Sequence, residues 1–353
     1  MHLLTKTEYH IAQPLFEACA DIHLSVAAVL AAAAPGDIWV DDLQQPNIAL
    51  LDGPESWYLA GNPDDAVDLP SLGRLIPPTA YLIYTPDHWE THFPALLSNQ
   101  FARRHERIAA RQTLVPDDKP VITDARYRLL ELQASGPHHL SATDRDLLDD
   151  WFASNRDSDL ATAVASNAGH AMLAADAVVA LCLSDVIAGD RGELGVWVAP
   201  EYRRQGLARQ VVQATLALLA ARGVTSVGWH CLANNRESRA LALATGFVEV
   251  ASYRAFSASL PAESAKAMSP DEFGDWAVHY ERGRDIDPWF SLLAAEAWAL
   301  AGRSDAAFAN LQHLIGNGDE WAEQLPQRWR LASLHPDPRF PELIAALQRQ
   351  THG

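Results

Sequence analysis

The segment from Gly192 to Ala208, GELGVWVAPEYRRQGLA, constrains this chain more than any other stretch. An apolar run reads as a buried strand, the Pro200-Glu201-Tyr202 turn closes it, and Leu207, Val211, Ala214 and Leu218 then recur at helical spacing. A strand that feeds a helix through a glycine-marked turn leaves the first amides of that helix aimed at whatever lies beyond the strand end. Gly206 lets a ligand approach the backbone closely, and Arg203, Arg204 and Arg209 add positive charge at the helix mouth. The segment is suited to hold a pyrophosphate, and hence a phosphorylated cofactor.

The order Arg203-Arg204-Gln205-Gly206-Leu207-Ala208 resembles motif A of the GNAT superfamily of N-acetyltransferases, whose pattern is Gln or Arg, two residues, Gly, one residue, then Gly or Ala. A second element follows in the expected order. Thr225 to Ala233 reads as another buried strand, and Asn235-Arg236-Glu237-Ser238 opens a helix that ends at Gly246-Phe247. The resemblance implies a mixed α/β fold of α+β type, a twisted mixed sheet with flanking helices, and acetyl-CoA as cosubstrate with no metal. It places residues 203 to 209 on the diphosphate, and Asn235 and Ser238 on the pantetheine and phosphate regions. Two neighbouring strands of that fold splay apart, which puts the main chain of Val196 and Val198 on the pantetheine and thioester carbonyl. The implied reaction is direct acetyl transfer to a primary amine within a ternary complex. Glu193 occupies the position where some members keep a carboxylate base, and Asp157 and Asp159 are further candidates for carboxylates lining the acceptor side. Many relatives carry a Tyr seven residues after the Asn; here that position is Ala242, which leaves Tyr253 or water to protonate the departing thiolate.

Three regions follow from turn and linker signals. Residues 1–115 form an α+β module, with a helix over Glu8 to Ala33 interrupted around Asp21. Strands follow at Asp37 to Val40, Ile48 to Leu51, Trp57 to Ala60 and Tyr81 to Tyr84. This module fits either a degenerate acetyltransferase-like half or a scaffold, an arrangement similar to the zwittermicin-resistance type. Residues 120–260 form the catalytic domain: a strand at Arg126 to Leu132, a helix at Ser141 to Phe152, strands at His170 to Ala174 and Val178 to Ser184, then the motifs above and a last strand through Phe247 to Phe256. No strand is assigned between Tyr84 and Arg126. Residues 267–353 read as helices, and Ala295, Trp298, Gly302, Ala307, Leu311 and Leu314 fall on the spacing of one tetratricopeptide repeat.

A formal charge of −18, from 27 basic and 45 acidic residues, argues against nucleic acid as a partner and suits a cationic acceptor, either a small-molecule amine or a basic peptide. Cys19, Cys182 and Cys231 are too few and scattered for a disulfide framework, and no apolar run is long enough to span a bilayer, so a cytoplasmic protein without membrane attachment is expected. A homodimer built on the helical tail is compatible with this reading. His230 and Cys231 are adjacent in a strand and so face opposite ways, which excludes a Cys-His nucleophile there. In His88-Trp89-Glu90-Thr91-His92 the Glu sits one place too late for a metalloprotease helix, and a surface helix is expected instead of a zinc site. His138-His139 reads as loop. The alternative function is a non-catalytic acyl-CoA sensor or interaction protein working through the helical tail.

Overall fold

The computed structural model describes residues 1–65, 68–77, 80–97, 103–115, 124–132, 168–262, 265–315 and 321–350, with Ser141, Asp144 and Leu148. The expected helix at 141–152 thus lies mostly outside the described residues, as do His138, His139, Asp157 and Asp159. The chain divides into two compact units. One comprises 1–72, 82–92 and 106–255, the other 73–81, 93–105 and 256–353.

The first unit is organised by a mixed sheet of strands β1 (His2–Leu3), β2 (Asp37–Val40), β3 (Ile48–Asp52), β4 (Trp57–Gly61), β5 (Leu82–Thr85), β6 (Arg103–Thr113), β7 (Tyr127–Leu132), β8 (Gly169–Ala174), β9 (Ala177–Ala188), β10 (Arg191–Val198), β11 (Ser226–Leu232) and β12 (Val248–Ser257). Its order is β1-β2-β3-β4-β5-β12-β6-β11-β10-β9-β8-β7. Strands β1 to β4 pair antiparallel and β4 pairs parallel with β5. The same sequence of directions recurs from β7 to β11, with β10 parallel to β11. The last strands are exchanged between the halves: β6 of the first half pairs antiparallel with β11 of the second, and β12 lies between β5 and β6.

Strand β6 has no counterpart in the sequence expectation. Its sequence RRHERIAARQT shows neither alternation nor an apolar run, because only His105, Ile108, Ala109 and Ala110 are buried and long charged side chains occupy most other positions. Its strand character comes from the partner on either side, a tertiary effect that a local pattern does not record.

Helices α1 (Gln13–Ile22) and α2 (Leu24–Leu30) replace the single interrupted helix, and the break falls at His23, whose backbone is extended at φ −105° and ψ 107°. Arg191 and Arg111 donate to the carbonyl of Asp21, and Arg191 also to that of Ala20, so two guanidiniums cap the negative end of α1. Leu24 and Ala28 of α2 pack with Val186 of β9. Helix α3 (Leu207–Ala221) buries Val211, Val212, Leu218 and Leu219 with Cys182, Val227, Trp229 and Cys231. Helix α4 (Arg236–Ala244) follows β11 and buries Ala242.

The second unit contains helices α5 (Pro270–Glu281), α6 (Pro288–Leu300), α7 (Ser304–Gln312) and α8 (Arg339–Gln350). Ser269 and Glu272 form a capping box at the start of α5, with Pro270 at the first helical position. Helix α6 is apolar around most of its circumference, from Phe290 through Ala299, because other helices cover it on several sides. Within this apolar helix Glu296 is 1% exposed and is held by Arg328 and by Arg330 at 3.1 Å. Removing one partner of such a buried pair leaves uncompensated charge. Glu296→Ala should therefore cost about 3–5 kcal/mol by denaturant unfolding, whereas Arg339→Ala, whose partners Asp305 and Asp337 are more exposed, should cost about 1 kcal/mol or less.

Candidate active site

The site begins where two strands stop pairing. β10 and β11 are in register at Arg191↔Ser226, Gly192↔Val227 and Glu193↔Gly228, and no pair follows beyond Gly228. The register of β10 on β9 shifts between Glu193 and Leu194, where Asp185 is the extra residue on β9, while β11 stays paired with β6 as far as Leu232. The result is a wedge whose apex is Glu193. Main-chain groups alternate sides along a strand, and the Ala199 N–H bonds to Val179 of β9, so the main-chain groups of Val198 and Val196 point away from β9, into the wedge. The Val198 carbonyl accepts from Arg203 Nε at 3.2 Å.

At the mouth of the wedge, Arg204 and Gly206 both have left-handed backbones, at φ +64° and +78°. Such a conformation is costly for arginine and free for glycine. The first intrahelical bond of α3 is Gln210 N–H to Gly206 C=O, so the amides of Leu207, Ala208 and Arg209 stand ahead of the ladder and carry the positive end of the helix dipole. A Cβ on Gly206 would meet only Gln210 Nε2, at 3.9 Å, which shows an open approach to the backbone. Gln205 accepts from the Tyr127 hydroxyl at 2.6 Å, fixing the loop against β7.

Glu193, Gly228 and His230 share the sheet face opposite α3. Gly228 leaves little room there, since a Cβ would lie 3.0 Å from Glu193 Cγ. Glu193 Oε1 accepts from the Leu24 amide at 2.8 Å and from His230 Nε2 at 3.1 Å. On the other side of the ring, His230 Nδ1 lies 3.1 Å from the Tyr253 hydroxyl, which accepts from Arg107 Nε at 2.8 Å. A carboxylate on Nε2 assigns the proton to that nitrogen, so Nδ1 accepts from Tyr253. His23 stacks on His230 at 5.0 Å and meets Tyr253 edge-on at 4.6 Å. Burial pushes the Glu193 carboxyl up, but the His230 ring and the Leu24 amide outweigh it and hold the group below the usual carboxylate range. Burial, aided by the neighbouring His230, drives His23 down to about 3.

The sequence matches the GNAT acetyltransferase family over residues 13–256. A GCN5-related N-acetyltransferase-like protein from Streptococcus suis has the same fold at 19% identity and a TM-score of 0.55, covering 71% of this chain and 98% of its own. A GCN5-related N-acetyltransferase from Sphaerobacter thermophilus (13% identity, TM-score 0.46, covering 72% and 93%) and a tandem GNAT protein from the clavulanic acid biosynthesis pathway (14%, 0.47, covering 72% and 98%) are also similar. No curated protein gives a significant match.

The chain belongs to the GNAT acetyltransferase family.

It is therefore an acyltransferase, of a family that typically takes its acyl group from acetyl-CoA. The residues singled out in the sequence fall in two places. Val196, Val198 and residues 203 to 209 surround the wedge and its mouth, and Glu193 stands at the apex. Asn235 and Ser238 lie at the start of α4, where the Asn235 side chain accepts from the Ser238 amide at 3.0 Å and Ser238 Oγ accepts from Trp229 Nε1 at 3.0 Å. Ala242 lines a cavity of about 410 Å³ with Arg236, Arg239 and Phe247. Cys231 is buried beneath α3 while His230 takes the other face. His23 and Arg107 escape sequence reasoning: one marks only a helix break, and the other lies on the unrecognised strand β6.

The low value for His23 has a thermodynamic consequence. The folded state keeps the ring neutral down to about pH 3, while the unfolded chain protonates it near 6.5, so the unfolded state binds more protons between these values. Stability is then lost as pH falls below 6.5, by at most about 1.4 kcal/mol per pH unit from this group. Melting temperatures measured from pH 7 to 4.5 should fall in the native protein and fall less steeply in His23→Gln.

Proposed function

We propose that this enzyme transfers acetyl from acetyl-CoA directly to a primary amine, with the wedge between β10 and β11 receiving the pantetheine arm. The carrying observation is the coincidence of a broken strand pair with an open, left-handed Gly206 at the mouth of α3. The residues present fit the cosubstrate. Amides of Leu207 to Arg209 and the side chains of Arg203, Arg204 and Arg209 would face the diphosphate, and main-chain groups of Val196 and Val198 would face the arm. Acetyl-CoA supplies an activated acyl group when bound; the remaining chemistry belongs to the chain.

On this reading the proton path runs through Tyr253, His230 and Glu193. Tyr253 and His230 are half-buried and Glu193 is buried. As the amine nitrogen bonds to the thioester carbonyl carbon and the C–S bond breaks, the amine would give its proton to the Tyr253 oxygen while the phenol proton passes to His230 Nδ1; Glu193 stabilises the imidazolium through Nε2, and the same proton returns through Tyr253 to neutralise the departing thiolate. Arg107 favours negative charge on the same phenol oxygen. Glu193 thus acts by orienting and charging His230, with its Oε1 held by Leu24 and His230. The repeated strand order supports reading the first half as a second, non-catalytic GNAT-like module that contributes His23 and Leu24 to the site. An acidic chain favours a cationic acceptor, a small-molecule amine in preference to a basic peptide.

Two measurements test this. Acetyl-CoA should raise the melting temperature of the native protein, and Gly206→Glu should abolish that shift while leaving the unliganded fold in place; a retained shift would refute the assigned binding corner. Tyr253→Phe should lower kcat by about 10²-fold with acetyl-CoA KM unchanged, and an unchanged kcat would remove Tyr253 from the proton path.

A further inference from the structure

The motif His88-Trp89-Glu90-Thr91-His92 takes no part in the wedge, and its fold differs from the surface helix expected of it. It forms a 3-10 turn over Asp87–Thr91, with Trp89 fully buried. Glu90 turns away to accept from the Tyr84 hydroxyl at 2.8 Å and from Arg254 at 3.0 Å, so it does not act as the glutamate of a metalloprotease helix. The two imidazoles converge instead on a residue from another segment. His88 Nε2 and His92 Nε2 each lie 3.2 Å from Asp64 Oδ1.

We propose that Asp64, His88 and His92 form a binding site for a divalent transition-metal ion, with zinc as the ion that fits best. Two imidazoles and one carboxylate are a donor set typical of zinc, with metal–ligand bonds of about 2.0–2.2 Å. Tetrahedral bonds of that length place ligand atoms about 3.3–3.6 Å apart, and here the three ligand atoms lie within 4.8 Å of one another. Small side-chain rotations suffice to admit an ion. The two segments that carry the ligands are fixed in relation to each other. Strands β4 and β5 pair in parallel register up to Ala60↔Thr85, and Trp89 Nε1 donates to the Gly61 carbonyl at 3.1 Å, three residues before Asp64. The indole therefore ties the histidine turn to the segment bearing the aspartate. Asp64 and His88 are largely exposed and His92 is about one-quarter exposed, so the ion can enter and the fourth position is left to water. Such an ion would clasp the end of β4 to the turn after β5.

The test uses untagged, full-length protein stripped with a chelator and titrated calorimetrically with Zn²⁺ at pH 7.5. One equivalent should bind, with a rise in melting temperature. A His88→Ala/His92→Ala double variant should lose both, and Asp64→Asn should weaken binding about tenfold or more. Circular dichroism of the metal-free variants, altered only at this surface cluster, should match the native protein. Equal Zn²⁺ binding by the double variant, or no binding by the native protein at micromolar Zn²⁺, would overturn the proposal.

Discussion

The loss of pairing beyond Glu193 and Gly228 is the constraint on which the rest of the molecule depends. A parallel strand pair opened in the middle of a sheet exposes main-chain donors and acceptors that must be satisfied by something other than the neighbouring strand. The sheet tolerates the opening because each wall is braced from its outer side. β10 keeps its register with β9, and β11 keeps its register with β6. Take away β6 and β11 would lose its outer support. The exchanged strand is therefore part of what holds the wedge open.

The same junction explains how the first half reaches the wedge. Arg191 and Arg111 pin the end of α1, and the chain turns sharply at His23, so the Leu24 amide lands on the Glu193 carboxylate. That amide and the His230 ring keep a buried carboxylate charged. A charge in this position would be costly without both donors. The second half contributes the carboxylate and the imidazole, and the first half contributes the donor and the stacked ring that fix their geometry.

Much of this could be read from the residues. The strand-turn-glycine-helix signal at Gly192 to Ala208 and the strand-cap signal at Thr225 to Ser238 marked both walls of the wedge and its mouth, because they depend on local backbone requirements. Glu193 was legible by position, but its restraint by Leu24 was not, since that contact spans 169 residues. Arg107 was hidden because β6 lacks any strand pattern of its own. The region of α6 was legible as helical, yet nothing in its sequence indicated that Glu296 would be buried with two arginines as partners.

Strand exchange also bears on how the chain is made. Translation completes the first half before β12 exists, and until the last strand emerges the edge of β5 has no neighbour. An open edge of this kind is a template for unwanted association. The nascent polypeptide must therefore carry an unfinished sheet for the whole time needed to synthesise the second half, so closure of the interlocked halves is a late, long-range event, slow for reasons of topology. Cutting the gene between the halves would yield two fragments, each with an unsatisfied edge, so the two halves are expected to persist as one continuous reading frame.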